Sequence, residues 1–363
     1  MSRPLARRER IAWTRLARTP GVGPLTFAHL IARFRTADAA LEALPDISRG
    51  RLTAPPVEDI ERELDALTEM DARLIASCEP DFPPLLAQLD PGPAMLAVRG
   101  QAAIWEKPTV AIVGAREASA AGLKLAGDFA RELGEMGYSV VSGMARGIDA
   151  RVHEASLDTG AIAVLAGGLD RPYPPQNLKL HDKLCDAGVV ISEAPLGFQA
   201  RARDFPRRNH IISGIALGVV VIEAAERSGS LITARAAAEQ GRDVMAVPGS
   251  PLDPRARGGN ALLKQGAILV ETPEDVAEAL KAAPMPRARP RAVLSDNEAV
   301  APAGLGKAVL RLLSPTPVHI NDVARLADAP VAAVAAAIME LELEGRAATL
   351  PGGYAASPGA AFG

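Results

Sequence analysis

Between residues 109 and 170, short apolar runs alternate with longer stretches whose apolar residues recur at helical spacing. Residues 110–113 form a β-branched run that stops at Gly114, and residues 119–136 follow with Leu123, Leu125, Phe129 and Leu133 on one face. Strands at 139–141 and 161–165 flank a helix at 148–157, and each of the three strands runs into glycine. This alternation predicts a parallel sheet with right-handed crossovers. Further along, the same pattern gives a helix from 174 to about 185 and a strand at 189–192. A basic segment at 201–209 follows, then a helix at 211–218, a doubly buried strand at 219–223, a helix at 231–240 and a strand at 244–247. A small-residue loop at 257–260 precedes a helix at 261–265.

The flanks read differently. Residues 1–75 form a small helical domain, SAM-like or helix-hairpin-helix, in which Gly21-Val22-Gly23 separates two short periodic segments. Residues 76–281 form the extended Rossmann-like domain, entered through a proline-rich stretch with one strand near 95–98. The proline-containing stretch 282–304 is a linker. Residues 305–363 carry three helices and a hairpin, the pattern of a winged helix, but the helix at 331–343 has no Lys, Arg, Asn or Gln for base readout before Arg346. That favours docking over sequence reading. The fold class is therefore α/β, a mostly parallel Rossmann-like sheet between a helical N-terminal and a winged-helix C-terminal domain.

Composition narrows the class. With 363 residues and 48% hydrophobic content the chain can bury several cores. Cys78 and Cys185 are too far apart for a CxxC site and give no disulfide framework, which suits a reducing cytoplasm. No apolar stretch is long enough to span a bilayer. The net charge of -3 hides local basic clusters: six arginines within residues 1–18, and Arg201, Arg203, Arg207 and Arg208 within 200–210.

The chemistry gathers at the strand ends. In an open parallel sheet, ligands sit beyond the carboxyl ends of the strands. Gly114, Arg116, Ser142, Gly143, Arg146 and Asp149 fall there, and Ser228-Gly229-Ser230 opens a further helix on the same rim. Exposed backbone N–H groups and guanidinium groups predict an anionic ligand held through phosphate. The chain has neither a Gly-x-Gly-x-x-Gly nor a Walker-type loop, so a dinucleotide or nucleoside triphosphate is not indicated. His29, His153, His181, His210 and His319 have no metal-ligand spacing, and no nucleophile motif occurs, so neither cofactor nor metal is expected.

The segments VAIVGAR (110–116), SGMARGIDARVHEASLDTG (142–160), AVLAGGLDRPYPPQN (163–177), FPRRNHIISGIALGVVVIEAAERSGSLITA (205–234) and EQGRDVMAVPGS (239–250) resemble the DNA-processing protein A (DprA, or Smf) family. The resemblance implies binding of single-stranded DNA without strong sequence preference, protection of that strand, loading of a RecA-type recombinase in natural transformation, and homodimerisation. It places Arg116, Ser142, Gly143, Arg146, Phe205, Arg207, Arg208 and Asn209 on the DNA, with Phe205 as a face for base stacking. The competing reading is a phosphoribohydrolase-like enzyme on a similar sheet, with Glu239 as its acid or base; its Pro-Gly-Gly-x-Gly-Thr signature is missing.

Overall fold

The computed structural model describes residues 3–282, 304–350 and 354–357. The linker expected at 282–304 thus falls almost wholly outside the described residues. Four helices, α1 (Arg7–Arg18), α2 (Pro24–Phe34), α3 (Ala37–Ile47) and α4 (Val57–Glu69), open the chain. The strands β1 (Ala72–Ala76), β2 (Met95–Gly100) and β3 (Thr109–Val113) follow, then α5 (Ala120–Glu135), β4 (Ser139–Ser142), α6 (Ile148–Ser156), β5 (Ala161–Leu165), α7 (Leu178–Ala187) and β6 (Val189–Ser192). The second half holds α8 (Phe205–Ile215), β7 (Gly218–Val221), α9 (Ser230–Glu239), β8 (Asp243–Ala246), α10 (Arg257–Lys264), β9 (Ile268–Leu269) and α11 (Pro273–Ala282).

These strands make one nine-stranded sheet in the order β1-β2-β6-β5-β4-β3-β7-β8-β9. Six of its pairings are parallel, from β6 through to β9, while β1–β2 and β2–β6 are antiparallel. The sheet therefore begins at Ala72, ahead of the boundary expected at residue 76. The chain builds outward from β3 to β6, then returns to the other side of β3 with β7. That reversal opens a crevice at the carboxyl ends of β3 and β7.

Alternation along the strands explains the two-layer core. Ala111, Val113, Val141 and Val221 face one side and pack with Ile211, Ile212 and Ile215 of α8 and Ala234 of α9. Val110, Ile112, Val140 and Val220 face the other and meet Phe129 and Leu133 of α5, Val152 of α6 and Val276 of α11. Each fully buried large side chain in these layers contributes about 1.5–3 kcal/mol relative to exposure.

Two stretches differ from the sequence expectation. The helix expected from residue 211 begins six residues earlier, inside the basic segment: α8 starts at Phe205, because Pro206 sits in the first turn where its missing N–H costs nothing. Likewise α10 starts at Arg257, and Gly258 lets its first turn lie against the Ala224 and Ala225 carbonyls.

Residues 5–61 and the C-terminal segment form a separate compact unit. In it, Trp13 of α1 meets Phe27 of α2 edge-on at 5.1 Å. The C-terminal part comprises α12 (Leu305–Leu312), β10 (Val318–His319), α13 (Ile320–Leu326), α14 (Val331–Leu343), β11 (Ala348–Leu350) and β12 (Tyr354–Ala356), with its sheet in the order β10-β12-β11. Val309, Val323, Val334, Ile338 and Leu341 fill the space between its helices. Two ion pairs join the parts of this unit, Arg33 to Glu340 at 2.7 Å and Arg49 to Glu344 at 2.9 Å. No helix among the described residues is long and apolar enough to cross a membrane.

Candidate nucleic-acid interface

A cavity of about 1140 Å³ opens where β3 and β7 end. Gly114, Arg116, Arg146, Asp149, Tyr173, Phe205, Arg208, Asn209, Ser228, Gly229 and Ser230 all line it, so loops and helix starts from five places in the sequence converge on one space. Arg116 and Arg146 are exposed at its edge, and Arg227, which the sequence reading passed over, is exposed beside the start of α9. None of these three makes an ion pair among the described residues. Their charge is available to a ligand.

Three expected contact residues lie elsewhere. Ser142 is fully buried and donates its hydroxyl to the Ile112 carbonyl at 2.7 Å, tying β4 to β3. Gly143 sits beneath the cavity, where its carbonyl accepts from the Arg208 guanidinium; a Cβ there would collide with that guanidinium and with the Asp149 carboxylate. Arg207 is outside the lining and is held by Glu193 through two hydrogen bonds of 2.6 and 2.5 Å. Successive residues of a helix point about 100° apart, and here that turn carries Arg207 toward Glu193 while Arg208 and Asn209 face the cavity.

Arg208 forms the floor. It is 5% exposed and also donates to the Val164 carbonyl at 3.1 Å. Burial pushes its pKa down to about 10, partly offset by Asp149, with Arg116 adding to the lowering. Asp149, in the first turn of α6, is raised by burial while Arg208 and the Ala145 N–H act the other way. His153, one turn further on, accepts from the Met144 N–H at 3.4 Å, and burial lowers its pKa to about 3, so it is a neutral core residue. Above Arg208 lies the ring of Phe205, with the Arg208 and Arg116 guanidinium carbons 5.5 and 5.6 Å from its centroid.

The two helix starts on this rim are differently used. At α5, Ser119 caps the helix through Gly122 N–H, and Glu223 from the end of β7 accepts both the Ser119 N–H at 2.9 Å and its hydroxyl at 2.5 Å. A carboxylate thus already occupies the position where a dinucleotide fold binds pyrophosphate. At α9, the Ser228 and Ser230 hydroxyls are 2.7 Å apart and face the cavity with Gly229. Glu239 is nine residues beyond Ser230, roughly 13 Å along α9 at its exposed far end, and does not line the cavity. Among the described residues there is no cluster of three or more acidic, His or Cys side chains suited to a metal ion.

The sheet order and the crevice define a Rossmann-like protein with an arginine-lined cavity at the ends of its strands. Sequence comparison makes this specific. The profile of DNA recombination-mediator protein A matches residues 73–281, that of a DprA-like N-terminal HHH domain matches residues 7–66, and that of a DprA winged helix domain matches residues 294–353. The chain belongs to the DprA/Smf family. It is 39% identical to protein Smf of Escherichia coli over 316 residues, covering 84% of this chain and 82% of that one. It is 42% identical to the DNA processing protein DprA of Streptococcus pneumoniae over 197 residues, 54% of this chain and 70% of that one. The X-ray structure of the Streptococcus pneumoniae protein superposes with a TM-score of 0.64 at 32% identity, covering 77% of this chain and 98% of the other. A Helicobacter pylori DNA processing protein A, whose structure describes a single-stranded DNA binding mode, superposes at 0.54 with 25% identity, covering 58% and 95%.

Proposed function

We propose that this chain binds single-stranded DNA in the cavity at the ends of β3 and β7, without catalysing a reaction, and delivers the strand to a RecA-type recombinase while shielding it during natural transformation. The observation that carries the reading is the open rim on which Arg116, Arg146 and Arg227 stand beside the start of α9 without an ion pair among the described residues, while the site for a bound dinucleotide is filled by Glu223. Guanidinium groups spread along an open rim suit successive phosphates of a strand, and backbone contacts of this kind carry no base specificity. The likeness to the Helicobacter pylori protein supports the same ligand class. An enzyme of the phosphoribohydrolase type is disfavoured because Glu239 lies away from the cavity. Self-association through the central domain completes the proposal, as the family resemblance implies.

A titration of single- against double-stranded oligonucleotides at fixed salt, with recombinase filament formation followed in the same samples, tests it. Preference for the single strand and faster filament growth are expected. Equal affinity for both forms, or turnover of a nucleoside monophosphate to free base, overturns it.

A further inference from the structure

Tyr173 stands on the loop after β5, 57% exposed, in a chain whose aromatic content is only 3%. It lines the cavity mouth and meets Phe205 edge-on, with ring centroids 6.1 Å apart and planes at 67°. The loop is pinned from below: the Asn177 amide donates to the Met144 carbonyl at 2.8 Å and the Ala145 carbonyl at 3.2 Å, fixing it to the turn that carries Arg146. Phe205 itself is half-buried, and two guanidinium groups already lie over its ring. Phe198, 37% exposed on the loop after β6, is a further aromatic residue at this end of the sheet. The loops after β6 and β5 thus each present an exposed aromatic residue beside their own arginines Arg201, Arg203 and Arg171, while those after β4, β3 and β7 present Arg146, Arg116 and Arg227.

We infer that Tyr173, rather than Phe205, is the surface on which a nucleobase stacks as the strand leaves the cavity, and that Phe205 is a positioning residue that holds Arg116 and Arg208. This rests on the proposed binding of single-stranded DNA. An exposed ring fixed by a pinned loop offers a π-face at small entropic cost, and stacking of a base on such a ring tolerates any sequence. Phe205 offers less, because a base would have to displace a guanidinium from its face.

The test compares wild type, Tyr173→Ala, Tyr173→Phe and Phe205→Ala by oligo-dT affinity over a salt series, with thermal melting to confirm folding. Tyr173→Ala should weaken binding by roughly five-fold to a hundred-fold with an unchanged log-log salt slope, and Tyr173→Phe should bind like wild type. Phe205→Ala should weaken binding and flatten the slope, because Arg116 loses its support. Wild-type affinity in Tyr173→Ala overturns the assignment, as does a flattened slope in that variant or an equal loss in Tyr173→Phe, which would put the effect on the hydroxyl. Failure of wild-type protein to bind the oligonucleotide at all would instead remove the reading on which this one rests.

Discussion

Arg207 and Arg208 are neighbours in sequence and have opposite fates: the first is clamped outside the cavity by Glu193, the second is buried beneath it against the carbonyls of Gly143 and Val164. Two of the arginines in the basic segment are thus committed within the protein. The exposed arginines that line the cavity without an ion pair among the described residues are Arg116, Arg146 and Arg227.

Substituting Arg116 by Ala should weaken oligo-dT binding and reduce the log-log salt slope by about 0.7, the share of one phosphate on a single strand. Arg207→Ala should change that slope by clearly less, because Glu193 already neutralises it. Fluorescence anisotropy at four or five salt concentrations checks both, and equal effects from the two variants would contradict the geometry.

Replacing Arg208 by Ala strands a buried carboxylate on Asp149 and should cost about 3–5 kcal/mol, seen as a melting temperature lower by roughly 10 °C. The deficit should depend on pH. Burial raises Asp149, so the folded state holds that proton more tightly than the unfolded chain does. The associated stability is complete below the unfolded value of about 3.9 and is lost as pH rises through the folded one. Since Arg208 opposes the raising, its removal lifts the folded value further, and the gap from wild type should widen as pH climbs from about 4. Melting curves across acid buffers measure this.

His153 acts in the other direction. Its folded pKa of about 3 lies below the ordinary histidine value of 6.5, because burial disfavours the imidazolium. Its contribution to stability is complete above that ordinary value and declines as pH falls toward the folded one, since the unfolded chain takes up the proton first. The stability of His153→Gln should therefore fall less steeply between these two values than that of wild type, whatever its absolute level. Denaturant titrations at pH steps across the window decide it.

Much of this site is legible in the sequence because glycine and serine at strand ends are local signals. Gly114 and the Ser228–Ser230 turn border the cavity as their positions suggest. The misplaced residues needed phase or distance information. Whether Arg207 or Arg208 turns inward depends on where α8 begins, and with the helix expected only from residue 211 neither arginine had a phase. Ser142 was placed at the surface because β4 was ended one residue short; as the last residue of the strand it points into the core. Tyr173 was visible within the PYPPQN segment but had no periodic context to mark it. Glu223 stands out in no local pattern, because its role at Ser119 joins positions separated by 104 residues.

That pairing yields a further expectation. Glu223→Ala removes the acceptor of two Ser119 hydrogen bonds and should cost about 2 kcal/mol, or roughly 4–8 °C in melting temperature, while Glu223→Gln, which can still accept one, should lose less. Scanning calorimetry distinguishes the two variants, and identical losses would mean that the carboxylate charge at the start of α5 matters more than the contacts.

The ion pairs from Arg33 to Glu340 and from Arg49 to Glu344 fasten the two extremities of the polypeptide to each other. Deleting the winged helix is therefore not a silent truncation: it frees two guanidinium groups, one on α2 and one in the turn after α3, and gives the shortened protein a new basic surface. Any gain in nucleic-acid affinity measured on such a fragment would include attraction that the intact chain neutralises internally.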